Sequence, residues 1–218
     1  MFALDLSVPW SANSPAWIKL KSGPTQAYHS AVVSSDEQVF VTFRNTPSGS
    51  ITNNLSYRFN ILANSWALST MKVQNPSREG VTAVKDPTSG LVYLAGGFQS
   101  DDSQMYIANL DTDMLSMFTM PNNFMSDRYF YSGVYLQSRK SIIYFGGSNS
   151  AYSSSPSTMS QNFVVEFVPS TGTWSNLIAN NPNPSHRSEF CMAASKREEG
   201  AYSKALLHTL GSSLLIFK

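Results

Sequence analysis

Charge, cysteine and long apolar runs are all scarce in this chain, and each scarcity closes off a class of function. Only 13% of the residues are charged and the formal net charge is +1. No field of one sign is available to draw in nucleic acid or an anionic membrane, so neither is expected as a partner. A single cysteine, Cys191, excludes an intrachain disulfide. No apolar run reaches the roughly 20 residues that a membrane helix needs. The nearest, Leu206 to Phe217, is interrupted by His208, Thr209, Ser212 and Ser213. Met1-Phe2-Ala3-Leu4 runs straight to Asp5, without the basic start or apolar core of a secretory signal. The three histidines, His29, His186 and His208, show no paired ligand spacing, and neither a nucleophile elbow nor a zinc motif is present.

What the chain has is a repeat. Arg78-Glu79-Gly80-Val81-Thr82-Ala83-Val84 leads into Leu91-Val92-Tyr93-Leu94-Ala95-Gly96-Gly97, and Arg128-Tyr129-Phe130-Tyr131-Ser132-Gly133-Val134 leads into Ile142-Ile143-Tyr144-Phe145-Gly146-Gly147. In each, the first glycine lies 18 residues after the arginine (96 − 78 and 146 − 128), and the copies are 50 residues apart (128 − 78). Self-similarity at such a period signals a repeat architecture.

Each unit reads as four short strands separated by turn residues such as Asp86-Pro87-Thr88-Ser89-Gly90 and Pro169-Ser170-Thr171-Gly172. The first strand follows the arginine and the second runs into the diglycine. The third is apolar and often aromatic, as in Leu55 to Ile61, Gln104 to Leu110 and Asn162 to Val168. The fourth begins near Trp66, Met117-Phe118 or Trp174. Strands rich in Val, Ile, Tyr and Phe fit antiparallel hairpins, and few segments carry helical periodicity. The phase extends upstream, where Gln26 takes the arginine place, Arg44-Asn45 stands in the diglycine slot, and Met1–Leu6 and Trp17–Leu20 read as a third and a fourth strand. Downstream, Arg187 opens another first strand that contains Cys191, there expected to be a buried thiol. Residues 196–218 diverge, with a charged Lys196-Arg197-Glu198-Glu199 where a hairpin is expected and a short helix or strand after it.

The arginine, the small-apolar strand, the apolar strand ending in Gly-Gly and the tryptophan together resemble the kelch repeat, over roughly residues 1–195. The arrangement is also similar to fungal kelch proteins of the galactose oxidase-like type, on the evidence of Phe2-Ala3-Leu4-Asp5-Leu6-Ser7 with Trp10 and Trp17. The resemblance implies an all-β fold, a kelch-type β-propeller of three complete four-stranded blades with partial blades at both ends. In that fold Gly96, Gly97, Gly146 and Gly147 allow backbone geometries closed to other residues, and Trp17, Trp66 and Trp174 fill the wedges between blades. Because rings of this kind typically close with about 4 to 8 blades, the chain is expected to be part of a longer propeller, whose compartment stays open, rather than a natural four-bladed form closed by pairing residues 1–10 with the tail.

The resemblance also supplies candidate sites. In some kelch adaptor proteins the repeated arginines line a partner-binding pocket, which points to Gln26, Arg78, Arg128 and Arg187. The alternative is that each arginine bonds backbone or an acidic neighbour inside its own blade. A binding role requires guanidinium groups that stay partly accessible, whereas a structural role buries them. A second candidate surface is the set of loops after each second strand, Arg44–Asn53, Phe98–Ser103 with Asp101-Asp102, and Ser148–Ser160. A copper-radical oxidase would need two histidines and a cysteine crosslinked to a tyrosine, which this pattern does not assemble, so no cofactor or metal is expected. The expected function is a non-catalytic scaffold that binds a protein or a glycan; the alternative is a fragment of a galactose oxidase-like enzyme.

Overall fold

A computed structural model of the chain describes residues 1–5, 7–24, 29–43, 56–71, 80–97, 104–121, 124–125, 128–148, 164–177, 191–195 and 204–208, the side chains of 40, 195 and 204–208 excepted. Among the described residues the fold is all-β, with sixteen strands and no α-helix. Three sheets are complete, each with four antiparallel strands in sequence order. The first holds β3 (Ser30–Val33), β4 (Val39–Phe43), β5 (Tyr57–Asn60) and β6 (Ser65–Leu68). The second holds β7 (Ala83–Lys85), β8 (Leu91–Ala95), β9 (Gln104–Asn109) and β10 (Met114–Thr119), and the third β11 (Ser132–Leu136), β12 (Ser141–Phe145), β13 (Val164–Val168) and β14 (Thr173–Leu177). Two hairpins flank them, β1 (Phe2–Leu4) with β2 (Trp17–Lys19), and β15 (Cys191–Ser195) with β16 (Lys204–His208).

The unit boundaries follow the repeat closely, with one shift. The first strands begin later than the sequence suggests, at Ala83 and Ser132. Two residues after each repeat arginine the backbone turns left-handed, at Gly80 (φ 65°) and Phe130 (φ 54°), and a strand cannot run through that conformation. These two residues also meet, since the Phe130 N–H donates to the Gly80 carbonyl at 2.8 Å. Of the two alternatives for the tail, the strand is observed: β16 pairs antiparallel with β15 from Cys191↔His208 to Ser195↔Lys204.

The first strands of successive sheets touch in series, β3 with β7, β7 with β11 and β11 with β15. The approach of β7 and β11 depends on Gly133, where an added Cβ would stand 2.8 Å from Val84 Cγ2. One core cluster runs through all three complete sheets, from Val41 and Phe43 through Val92, Leu94 and Met105 to Ile142, Tyr144 and Phe167. Aromatic contacts bridge the second and third sheets, Tyr93 and Phe118 lying 5.5 and 6.1 Å from Phe167. The far side of the third sheet carries a second cluster, Leu136, Ile143, Phe145 and Val164, against which Met192 of β15 packs.

The tryptophans diverge. Trp174 is buried, 4.6 Å from Phe167 and stacked on Tyr144 and Phe124. Trp66 is half-buried against Phe59, and its indole N–H donates to the Lys21 carbonyl at 3.1 Å. Trp17 is 58% exposed and fills no wedge, because β2 lies in a two-stranded sheet. Cys191 likewise is exposed rather than buried, since β15 has only β16 beside it in its sheet.

Candidate functional site

Arg128 lies at the entry to the third sheet and touches both diglycines, one through its guanidinium and the other through its backbone carbonyl. Its Nε donates to the Gly146 carbonyl at 2.7 Å, and Nη1 donates to Met125 Sδ at 3.6 Å. The 18-residue spacing in the sequence is therefore the span of a hydrogen bond. The Arg128 carbonyl in turn accepts from Gly97 N–H at 2.7 Å, which brings in the diglycine of the preceding sheet. The Tyr131 ring centroid lies 6.0 Å from Cζ, and the Tyr131 hydroxyl donates to the Ala95 carbonyl. The ends of β8 and β12 thus meet at one residue.

Glycine is required at this junction. Gly96, Gly97, Gly146 and Gly147 all have positive φ. A Cβ on Gly96 would stand 2.5 Å from the Met125 carbonyl oxygen and 2.8 Å from that of Arg128. On Gly147 it would meet the Tyr129 carbonyl oxygen at 2.7 Å. All three obstacles are backbone oxygens and cannot swing aside.

The expectation that the Arg128 head group stays accessible is corrected by this geometry. Arg128 is 0% exposed, and burial holds its pKa down to about 10, against an ordinary 12.5. A side chain sealed behind the strand ends offers a ligand no surface. Its partners are the backbone and side chains of the junction, the structural alternative that the sequence left open.

A second set of repeated contacts was missed in the sequence. Four residues after the arginine place each unit carries a hydroxyl, Ser30, Thr82 and Ser132, at intervals of 52 and 50 residues (82 − 30 and 132 − 82). Each hydroxyl bonds the main chain that leads into the next sheet. Ser30 Oγ accepts from Ala83 N–H at 2.7 Å, Thr82 Oγ1 donates to the Tyr131 carbonyl at 2.7 Å, and Ser132 Oγ accepts from Met192 N–H at 3.0 Å. The recurrence was visible, but small hydroxyls are common enough that only the bonding partners reveal its meaning.

Two charged clusters lie elsewhere among the described residues. Arg58 of β5 reaches the second sheet, donating to Asp113 Oδ1 at 2.7 Å and to the Leu110 carbonyl at 2.9 Å. Asp113 also accepts from Ser69 Oγ, Thr70 N–H and the Thr70 hydroxyl. Burial raises the Asp113 pKa, but these hydrogen bonds outweigh it and leave the carboxyl below its ordinary value. In the third sheet Arg139 grips Glu166 with two bonds of 2.8 and 2.9 Å, and Ser141 Oγ adds a third at 2.6 Å. The Arg139 bonds, more than burial opposes, hold the Glu166 carboxyl below 4.5.

The remaining candidates, Gln26, Arg78, Arg187, Asp101 and Asp102, lie outside the described residues, as does His186. Of the loops after the second strands only the root at Ser148 is described; it is buried and bridged to Tyr129 by backbone bonds of 2.8 and 2.9 Å. Among the described residues no three His, Cys, Asp or Glu side chains are grouped to hold a metal ion, and no helix is long and apolar enough to cross a membrane. No family model matches the chain, and no curated protein matches it.

Proposed function

We propose that the chain is part of a kelch-type β-propeller and acts as a non-catalytic scaffold that binds a protein or a glycan through the loops after its second strands. The observation that carries this reading is the junction at Arg128. It ties the end of β8 to the end of β12, so the segments 98–103 and 149–163 leave from adjacent roots. Loops that spring from a rigid, shared root are well placed to present one composite surface. The serial contact of β3, β7, β11 and β15, with a four-stranded antiparallel sheet behind each of the first three, supports the propeller itself. Asp101-Asp102 and the serine-rich run after Ser148 supply hydroxyl and carboxylate groups suited to polar ligands. Arg128 belongs to this account as the residue that positions the loops and not as a ligand contact.

The test replaces 98–103 and, separately, 150–160 with Gly-Ser linkers of equal length. Each variant is screened beside the parent chain on a glycan array and in a cross-linking capture experiment. The reading predicts loss of the parent's ligands with an unchanged thermal transition. Ligands retained by both variants would overturn it. A tightly bound copper at about one per chain, with oxidase activity, would favour the enzyme-fragment alternative instead.

A further inference from the structure

The seam between the first and second sheets is built unlike the seam between the second and third. Each complete unit turns from its third to its fourth strand through a left-handed residue, Asn64 (φ 47°), Asp113 (φ 56°) or Gly172 (φ 66°). The first two catch the linker that leaves the preceding strand pair. Lys21 N–H donates to Asn64 Oδ1 and Thr70 N–H to Asp113 Oδ2, both at 2.8 Å, and donor and acceptor each recur after 49 residues (70 − 21 and 113 − 64). At the third unit both halves of this bond are gone. Pro121, the second residue beyond β10 as Lys21 is beyond β2 and Thr70 beyond β6, has no N–H, and Gly172 has no side chain. Phe118 packs there instead, its Cζ 3.1 Å from where a Cβ on Gly172 would stand.

At the first seam the catching residue is a carboxylate, and it gathers more than the linker. Asp113 Oδ1 accepts from Arg58 Nη1 and Ser69 Oγ, and Oδ2 accepts from the Thr70 N–H and hydroxyl, four bonds that all come from the first unit. A guanidinium and a backbone N–H can only donate. A proton on either oxygen therefore meets a donor that cannot reverse, and Arg58 loses its ion. The rest of the described seam is the bond from Ala83 N–H to Ser30 Oγ, that from Lys85 Nζ to the Val33 carbonyl at 3.0 Å, and a thin share of the core. Of the described buried residues in the common cluster, only Val41, Phe43 and Met71 belong to the first unit. The second seam carries Tyr93 and Phe118 on Phe167, with backbone bonds from Gly97 N–H to the Arg128 carbonyl and from Phe130 N–H to the Gly80 carbonyl. These groups do not titrate in acid.

We propose that Asp113 is an acid-released catch: when it takes up a proton, the first sheet parts from the second while the second and third stay joined. Burial raises the Asp113 pKa, but the bonds from Thr70, Ser69 and Arg58 outweigh it and hold the carboxyl below its ordinary 3.8. Its contribution is therefore fully present above pH 3.8 and is lost as pH falls through the lower folded value. The neighbouring acids are engaged elsewhere. Asp111 of the same turn points toward the second sheet's own first turn, its Oδ2 3.9 Å from where a Cβ on Gly90 would stand. Asp36 accepts from Ser34 Oγ and Gln38 N–H of its own turn, and Asp86 from Thr88 N–H and Ser89 Oγ of its own. Glu166 is held by Arg139 and Ser141 within the third sheet. The catch depends on neither the loop face nor the propeller reading.

The experiment is amide hydrogen exchange on the purified chain from pH 6 down to 2, with the Asp113 carboxyl followed by carbon NMR in the same samples. The Thr70 and Ala83 amides report the first seam, and the Gly97 and Phe130 amides the second. The proposal predicts that protection at Thr70 and Ala83 falls together below pH 3.8, by up to about tenfold per pH unit, with its onset on the Asp113 titration, while Gly97 and Phe130 keep theirs. Asp113→Asn places in the second unit the side chain that Asn64 carries in the first. It keeps an acceptor for Thr70 N–H and loses the charge, so Ala83 protection should start lower at pH 6 and no longer change with pH. If Asp113→Asn fails to fold, the parent chain still decides, through the match between exchange and the carboxyl titration. Loss at all four amides together, loss at Thr70 with Ala83 retained, no loss once Asp113 has titrated, or an unchanged pH dependence in folded Asp113→Asn would each overturn the proposal.

Discussion

Arg128 and Arg139 stand eleven residues apart (139 − 128) at opposite ends of β11, and the protein uses them in opposite ways. Arg128 is sealed from solvent and donates to a glycine carbonyl and a methionine sulfur. Arg139 keeps 41% of its side chain exposed and grips a carboxylate, Glu166. By the usual intuition Arg139, the arginine in the salt bridge, is the important one. The energetics say otherwise. The Arg139 end of the pair is open to water, which screens it, and a long side chain must be held still, although Glu166 itself is buried. A buried guanidinium whose hydrogen bonds are lost leaves its partners without replacements. The arginine that recurs through the repeat is the one that closes the junction between sheets, and the arginine with the ion pair trims the rim of one sheet.

The largest effect that would sharpen this contrast is at Gly96. Alanine there must take φ near 69° and push its Cβ against the carbonyl oxygens of Met125 and Arg128. Strain of the left-handed backbone together with the clash should cost about 3–5 kcal/mol in urea unfolding. A loss below about 1 kcal/mol would show that the junction yields and that Arg128 closes nothing rigid. The hydroxyl stitch comes next. Thr82→Val keeps the shape and strips the bond to the Tyr131 carbonyl. Its expected cost is about 1–2 kcal/mol, with faster amide exchange along β7 and β11 before the rest of the second sheet.

The smaller effect lies on the Arg139 side and shows in pH dependence. The folded pKa of Glu166 lies below its ordinary 4.5, chiefly through the Arg139 hydrogen bonds. Its contribution is therefore fully present above pH 4.5 and is lost as pH falls through the lower folded value. Denaturation midpoints measured from pH 6 down to 3 should fall less steeply in Glu166→Gln than in the parent chain. Identical slopes would mean that the Arg139–Glu166 pair contributes nothing to folding.

The four-stranded units were legible in the sequence because turn clusters and apolar runs recur at one period, and even the degraded first unit, with Arg44-Asn45 in place of a diglycine, kept its strand pattern. The chemistry of the junction was legible only as spacing. Eighteen residues between Arg128 and Gly146 said that the two positions belong together, but a guanidinium that binds a partner and one that binds a carbonyl carry the same letter. Burial decides between them, and burial depends on how neighbouring sheets stack. Trp17 and Cys191 were misjudged for the same reason. Their local sequence matches that of buried residues, but each sits in a hairpin with half the strands of its counterparts. The serine and threonine stitch had the opposite problem, a true periodic signal carried by residues too ordinary to attract notice.

The central claim is that the repeat arginine holds the fold together and does so with its fork of N–H groups as well as with its charge. Lysine keeps the charge and loses Nε, so paired Arg128→Lys and Arg139→Lys variants, unfolded in urea side by side, test it most directly. The account predicts a loss of about 2–3 kcal/mol at 128, where the bond to Gly146 and the reach to Met125 both go. At 139 it predicts a loss within about 0.5 kcal/mol, because an ammonium can still approach Glu166. Equal small losses at both positions, or a larger loss at 139, would contradict it.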